Sequence, residues 1–406
     1  MGVDLTGILS IDDLDLSGRR VLLRVDINCP MTDDGLVADD TRIVLTLPTI
    51  RMAQERGARL ILCSHLGRPN GTNCPELSLH NVGGRLAQMI DTEVMFPDNC
   101  IGDGPRKLAN NLRDGQVMLL ENLRFNPGET SNDEQFSRAL AALADVYINN
   151  AFGSSHRAHA SIVGVPRLME ERAAGLLMTK EVQTLGRLLS GPESPFVAVI
   201  GGAKVEGKIK VIENLLGFCD SILIGGAMAN TFLAARGDEV GASRVEPDQF
   251  VVARRVLLKA ESMRANLLLP TDHVTAATIA PDASTTICTT GSVPSDQMAL
   301  DIGPETRNRY VSVINAARTV FWNGPMGVFE MEPFSAGTME MANVIARSNA
   351  TSIVGGGDSA AAIRQAGVTP FITHLSSGGG ASLEFLEGRE LPGVEALRPK
   401  WKRADG

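Results

Sequence analysis

VAVIGGAK (Val197–Lys204), SILIGGAM (Ser221–Met228), TVFWNGPMG (Thr319–Gly327), SIVGGGDS (Ser352–Ser359) and FITHLSSGGG (Phe371–Gly380) are five apolar runs that each end in glycines. Four runs in the first half end instead in polar and basic residues: LLRVDINCP (Leu22–Pro30), LILCSHLGRP (Leu60–Pro69), VMLLENLRF (Val117–Phe125) and VYINNAFGSSHRAH (Val146–His159). Short apolar runs between helical stretches read as buried parallel strands. In open parallel sheets, ligands sit beyond the carboxyl ends of the strands. The chain therefore reads as α/β, with two doubly wound parallel-sheet, Rossmann-like domains and a cleft between them. One mouth offers Arg and His, the other backbone N–H groups, Lys and Asp. Two anionic ligands are expected, brought together across the cleft.

The bulk composition agrees. With 406 residues, 44% of them hydrophobic and 41 Gly, the chain has room for two or three domains with many tight strand-to-helix turns. A formal net charge of -9 argues against a general nucleic-acid binder, while a few clustered Arg can still dominate a cleft. The six cysteines form no CxxC pair and read as reduced core residues. No apolar stretch approaches transmembrane length, and no basic region precedes an apolar segment at the N-terminus, so a soluble cytoplasmic protein is expected.

Along the chain, Thr41–Gly57 has helical spacing and a glycine stop, and Ser131 followed by Glu134 reads as a capping box. Residues 1–168 are expected to form the first domain and 191–391 the second. The stretch 169–190 reads as a helix with no strand beside it, either an inter-domain connector or an ordinary crossover helix. The basic tail Arg398–Arg403 either docks on the first domain or is solvated.

In RVDINCP, Arg24, Asp26 and Asn28 fall two apart, which in an extended chain turns them to one side. The other exits of the first half offer His65 and Arg68, then Arg124, then His156, Arg157 and His159, and Arg42 opens the first helix. Arg presents a planar fork suited to carboxylate and phosphate, so a small phosphorylated acid is the expected ligand. His65 or His156 could instead serve as a general base, but no nucleophile elbow accompanies them.

In the second half, Gly202–Ile209 nearly matches the P-loop pattern but has Ile209 where a metal-binding hydroxyl belongs, so a standard P-loop is rejected. What remains is glycines after a strand, then Lys204 and Lys208 four apart, as on one helix face, placed for phosphate. In GGGDS, backbone N–H groups could cradle phosphate and Asp358 could hold Mg²⁺. SSGGGASLEFLEG repeats the theme, and WNGPMGVFE offers Asn323 and Glu330. No dinucleotide fingerprint follows any strand, which makes a nicotinamide-dependent oxidoreductase the weaker alternative. A non-enzymatic two-lobed anion binder would leave Lys204 and Asp358 without a task.

From RVDINCP through SHLGRP, ENLRF, NNAFGSSHRAHAS, GGAKVEGKI, GGAMANTF, DIGP, WNGPMGVFE and GGGDSAA to SGGGASLEFLEG, the chain resembles the phosphoglycerate kinase family, in the family's order and over nearly its whole length. The resemblance implies a helix joining the two domains and a C-terminal segment, 392–406, returning to the first. It implies Mg²⁺-dependent, reversible phosphoryl transfer between 1,3-bisphosphoglycerate and ADP, giving 3-phosphoglycerate and ATP. By motif position, Asp26, Asn28, Arg42, His65, Arg68, Arg124 and Arg157 would bind the phosphoglycerate. Gly202, Ala203, Lys204, Lys208, Asn323, Glu330, Gly356, Gly357, Asp358 and Ser359 would meet the nucleotide, with Glu330 at the ribose and Asp358 at the metal. Arg42, Lys204, Gly357 and Gly380 would act on the moving phosphoryl group. No nucleic-acid or membrane partner is expected, and a monomer is favoured over a homodimer. Asn150 stands where the family usually has Asp. Short length and few aromatics suggest archaeal members.

Overall fold

The computed structural model describes residues 5–263 and 265–399. Among these, the residues up to Gln183 together with those from Glu390 form one compact unit, and Thr184–Arg389 forms the other. Residues 400–406, which include most of the basic tail, lie outside the described part.

The first unit holds a seven-stranded parallel sheet. Its strands are β1 (Leu9–Ser10), β2 (Arg20–Arg24), β3 (Arg59–Cys63), β4 (Val94–Met95), β5 (Val117–Leu119), β6 (Val146–Asn149) and β7 (Arg172–Ala174). Their order is β1-β7-β6-β2-β3-β5-β4. From β2 the chain winds outward to β3, β5 and β4, then returns to the other side of β2 with β6. The topological switch therefore lies between β2 and β6, where Arg24 stands opposite Asn149. Val21, Leu23, Leu60, Leu62, Val117, Leu119 and Ile148 are wholly buried and pack against helix Thr41–Glu55 through Ile43 and Ile50. The near-continuous apolar strands follow from burial on both faces.

In Thr184–Arg389 the strands β8 (Phe196–Ile200), β9 (Ser221–Ile224), β10 (Asn266–Leu268), β14 (Thr319–Asn323), β15 (Thr351–Gly355) and β16 (His374–Leu375) form a parallel sheet in the order β10-β9-β8-β14-β15-β16. Here the switch lies between β8 and β14. Three further strands, β11 (Asp272–Ala276), β12 (Thr286–Thr289) and β13 (Met298–Ile302), make a separate antiparallel sheet. Among the described residues, no helix is long and apolar enough to cross a membrane.

Three local expectations are corrected. The helix expected over 169–190 begins at Leu176 and ends at Ser190, and β7 precedes it, paired with β6 and β1. A three-residue buried strand has no period that would separate it from a helix. The cap of helix Glu134–Ala141 is Asp133, whose carboxylate accepts from Phe136 N at 2.8 Å. Ser131 instead closes the short helix Pro127–Ser131, which Asn132 ends in the left-handed conformation. Lys204 and Lys208 do not share a helix face, because the helix starts at Ile209. The Glu246 carboxylate, accepting from the N–H groups of Val205 and Glu206, holds the preceding segment as a turn.

Asn150 is fully buried. Its Oδ1 accepts from Thr49 Oγ1 at 3.0 Å and from Leu177 N at 2.9 Å, so it caps the start of helix Leu176–Ser190. Two donors converge on one oxygen, a task that amide and carboxylate can both perform. The return segment packs within the first unit: Gly393 N donates to Ser155 O at 2.8 Å, and Ala396 joins a small core with Ala151, Ile162 and Val163.

Candidate active site

At the β2/β6 switch a cavity of about 490 Å³ is lined by Asp26, Asn28, Arg42, His65, Arg68, Arg124 and Arg157, the seven acid-binding residues expected from sequence. Four guanidiniums face one carboxylate. The backbone explains the convergence. Asp26 and Asn28 follow β2, His65 and Arg68 follow β3, Arg124 follows β5 and Arg157 follows β6. Arg42 stands in the first turn of helix Thr41–Glu55. Arg24, by contrast, does not line the cavity. It is the last residue of β2 and is 1% exposed, because the strand ends there and the alternation through Asp26 breaks.

The cavity is internally braced. Arg42 Nη1 lies 2.9 Å from Asp26 Oδ1. Burial alone would raise the Asp26 carboxyl, but Arg42 foremost, then His65, Arg24 and the Asn28 N–H, outweigh burial and bring it down to about 2. Asn28 Oδ1 accepts from Gly67 N at 2.9 Å, and Arg124 Nη1 donates to Gly67 O at 2.7 Å. The loop after β3 is thus fixed from both sides. Burial, reinforced by the surrounding arginines, holds His65 well below the usual histidine range and His159 at about 4. Both rings are neutral at neutral pH.

In the other unit, a cavity of about 290 Å³ opens where β8, β9 and β14 end. Its lining includes Gly202, Ala203, Glu330 and Asp358 from the sequence-based set. The strand exits are in backbone contact, and this is why glycines end them. Gly226 has φ +67°, and a Cβ there would lie 2.5 Å from Gly202 N; at Gly324, φ +94°, it would lie 2.3 Å from Gly201 O. The remaining wall comes from residues that sequence reasoning missed: Gly226, Ala227, Asn230, Leu300 and Val328. In sequence most of them are small or apolar and indistinguishable from core, and nothing there marks the polar Asn230 and Arg244 of the same wall as cavity residues.

Lys208 is drawn into the β8/β14 switch. Its Nζ donates to Gly201 O at 2.6 Å and to Asn323 O at 3.1 Å. Burial lowers its pKa to about 8 against the opposing charge of Asp358. An ammonium has three donors, so one remains. Lys204 is exposed in the preceding loop with no hydrogen bond or ion pair among the described residues.

Two expected ligand contacts turn inward. The Asn323 amide donates to Gly355 O at 2.8 Å, tying β14 to β15, and Ser359 Oγ accepts from Gly324 N at 2.6 Å. Neither residue lines the cavity. Gly356, with φ +94°, precedes helix Gly357–Gln365, whose first turn carries exposed Gly357 and Asp358. Gly380 begins helix Gly380–Leu386. A larger cavity, about 740 Å³, lies beside β10 and helix Phe250–Ser262 and includes none of the expected site residues.

The family model of phosphoglycerate kinase matches residues 11–389. A phosphoglycerate kinase from Anaeromyxobacter sp. (strain K) is 53% identical over 389 residues, covering 95% of this chain and 98% of that protein. One from Acidobacterium capsulatum is 52% identical over 401 residues, covering 97% and 99%. Among solved structures, phosphoglycerate kinase from Coxiella burnetii superposes with TM-score 0.87 at 40% identity, and that from Pyrococcus horikoshii OT3 with 0.83 at 32%; each comparison covers 96% of this chain and 98% of the other. The archaeal leaning read from length and aromatic content is therefore corrected, since the bacterial relatives share far more of the sequence than the archaeal structure does. With two parallel sheets, an arginine-walled cavity and a glycine-walled one in the family's motif order, the chain belongs to the phosphoglycerate kinase family.

Proposed function

We propose that this chain catalyses reversible phosphoryl transfer between 1,3-bisphosphoglycerate and ADP, giving 3-phosphoglycerate and ATP. The observation that carries the reading is the convergence of Arg42, Arg68, Arg124 and Arg157 with His65, Asn28 and Asp26 on one cavity. That set suits an anion with two charged ends and several hydroxyl or ester oxygens. The 290 Å³ cavity of the other unit takes the nucleotide, with Glu330 at the ribose and the phosphates directed toward Lys208 and the N–H groups of the Gly357 turn. Asn323 and Ser359 act through the backbone that they fix.

The acceptor carboxylate of 3-phosphoglycerate ionises near pH 4 and needs no general base. Catalysis then rests on alignment and on positive charge at the moving phosphoryl group. Arg42 and Lys204 supply side-chain charge, and Gly357 and Gly380 supply backbone donors. Among the described residues no cluster of three His, Cys, Asp or Glu could form an all-protein metal site. Asp358 alone is suited to Mg²⁺, which usually takes one or two carboxylates together with substrate phosphates. Asp358 would hold the ion with the nucleotide, where the ion would neutralise phosphate charge. All six cysteines are free, which fits a reducing compartment such as the cytoplasm.

A coupled assay is expected to show ADP release from ATP only when 3-phosphoglycerate is present. ATP consumption independent of that acid, or none with it, would overturn the reading. The acid's residues and the nucleotide's belong to different units, so direct transfer requires the two bound substrates to meet away from water. The radius of gyration from solution scattering is expected to fall with both substrates bound and to change less with either alone. An unchanged curve in the ternary complex would argue against closure.

A further inference from the structure

Behind the arginine-walled cavity lies a buried polar chain, with His159 Nδ1 3.8 Å from one end of it at Glu129 Oε1, in which the direction of each hydrogen bond follows from the groups that make it. Glu129 is wholly buried, and its two carboxyl oxygens accept from Ser161, Oε1 from Oγ at 2.6 Å and Oε2 from the backbone N at 2.9 Å. Having donated its hydroxyl proton, Ser161 Oγ accepts from Arg24 Nε at 2.9 Å. Tyr147 OH, donating to Ser161 O at 2.7 Å, holds the same turn. Arg24 spends Nη1 on Val25 O, and its Nη2 stands 3.1 Å from His65 Nδ1.

A guanidinium has donors only and keeps its proton throughout the accessible pH range. At the last contact, Nδ1 of His65 must therefore accept, and the ring's single proton must be on Nε2. A protonated imidazole would set one N–H against another. The charged groups facing the ring are Asp26, Arg24, Arg124 and Arg42, three cations against one carboxylate.

We propose that Arg24 is a positioning residue that fixes His65 as the neutral Nε2–H tautomer, so that His65 serves the cavity as a hydrogen-bond donor and neither as a base nor as a cation. The consequence for substrate binding rests on the phosphoglycerate reading above; the tautomer does not. Glu129 and Ser161 aim Arg24, and the 5% exposure of His65 leaves the ring little freedom to turn.

The test is nitrogen-15 NMR of the histidine-labelled full chain, with His65 assigned by the spectrum of His65→Gln. The expected pattern is the Nε2–H tautomer at pH 7, with titration displaced well below the ordinary histidine range. An Nδ1–H pattern, or titration near the ordinary value of about 6.5, overturns the proposal. In Arg24→Met, which removes the donor, His65 is expected to titrate nearer that ordinary value. The KM for 3-phosphoglycerate should rise roughly tenfold while that for ATP stays within about twofold. Arg24→Lys, whose ammonium reaches closest to the Nη2 position and can only donate, should recover part of the loss. An Arg24→Met enzyme with unchanged tautomer, titration and KM overturns the assignment. If the buried substitutions fail to fold, the wild-type spectrum still decides. Absence of acid-dependent ATP consumption in the wild type would defeat the functional reading alone, whereas an Nδ1–H ring in a fully active enzyme would defeat this inference alone.

Discussion

Arg42→Ala and Lys204→Ala are each expected to lower kcat by roughly 10²–10³, the scale for losing one aligned electrostatic donor. Charge on a transferring phosphoryl group spreads over its peripheral oxygens, and fixed cations in a water-poor site act on it more strongly than in bulk solvent. The structure distinguishes how each cation is held. Arg42 is braced by Asp26 at 2.9 Å, and that carboxyl, at about 2, stays ionised throughout the working pH range. Arg42→Lys should recover little, because an ammonium cannot reproduce the planar fork. Asp26→Asn should also weaken turnover, since it loosens the brace. Lys204 is exposed and unpaired among the described residues, so its removal should leave the melting temperature unchanged. Any loss of turnover in Lys204→Ala then belongs to the chemistry. Steady-state kinetics with both substrates varied decides the matter, and near-normal kcat in both alanine variants would reject this assignment.

The two cavities were not equally legible in the sequence. The arginine-walled cavity was the more legible, because most of its expected residues are charged and, Arg42 on the first helix apart, each follows an apolar strand. The alternation rule failed only at Arg24, where β2 stops and a buried cation replaces an expected wall residue. For the glycine-walled cavity of the other unit, Gly202, Ala203, Glu330 and Asp358 stood out. Its other wall is assembled from separate elements, mostly by residues of ordinary core type such as Ala227, Leu300 and Val328, with Asn230 and Arg244 among them unmarked as cavity residues. Spacing put Lys208 on a helix with Lys204, but tertiary hydrogen bonds drew it to two strand exits instead. The antiparallel strands were hidden for a related reason. Asp272 and Thr275 on β11 are buried with specific partners, Thr306 for one and Gln297 for the other, so the strand lacks the apolar run that marks its parallel neighbours.

Lys208 should produce opposite pH trends in nucleotide binding and in stability. Burial places its pKa at about 8, so at neutral pH it is mostly charged, with one N–H left for the phosphate that the proposed function assigns to it. As pH rises through about 8 the charge is lost, and nucleotide affinity is expected to fall. Stability should move the other way. In the unfolded chain a lysine titrates near 10.4, so between about pH 8 and 10.4 the unfolded state binds the extra proton. Over that window this group's contribution to stability rises with pH, because the folded protein no longer carries a buried charge. The neutral amine can still donate to Gly201 O and Asn323 O, so the link between β8 and β14 survives deprotonation. Lys208→Met removes both trends together. It leaves the Gly201 carbonyl without its ammonium partner, a cost of about 1–3 kcal/mol, partly offset at pH 7 by relief of the buried charge. Loss of one charged hydrogen bond to phosphate should weaken nucleotide binding roughly 10- to 100-fold. Calorimetric melting from pH 7 to 10 and nucleotide titrations over the same range, on wild type and Lys208→Met, read both effects. If wild-type affinity held constant through pH 9.5 while Lys208→Met bound nucleotide as tightly, the ammonium at the β8/β14 switch could not be the phosphate-directed group.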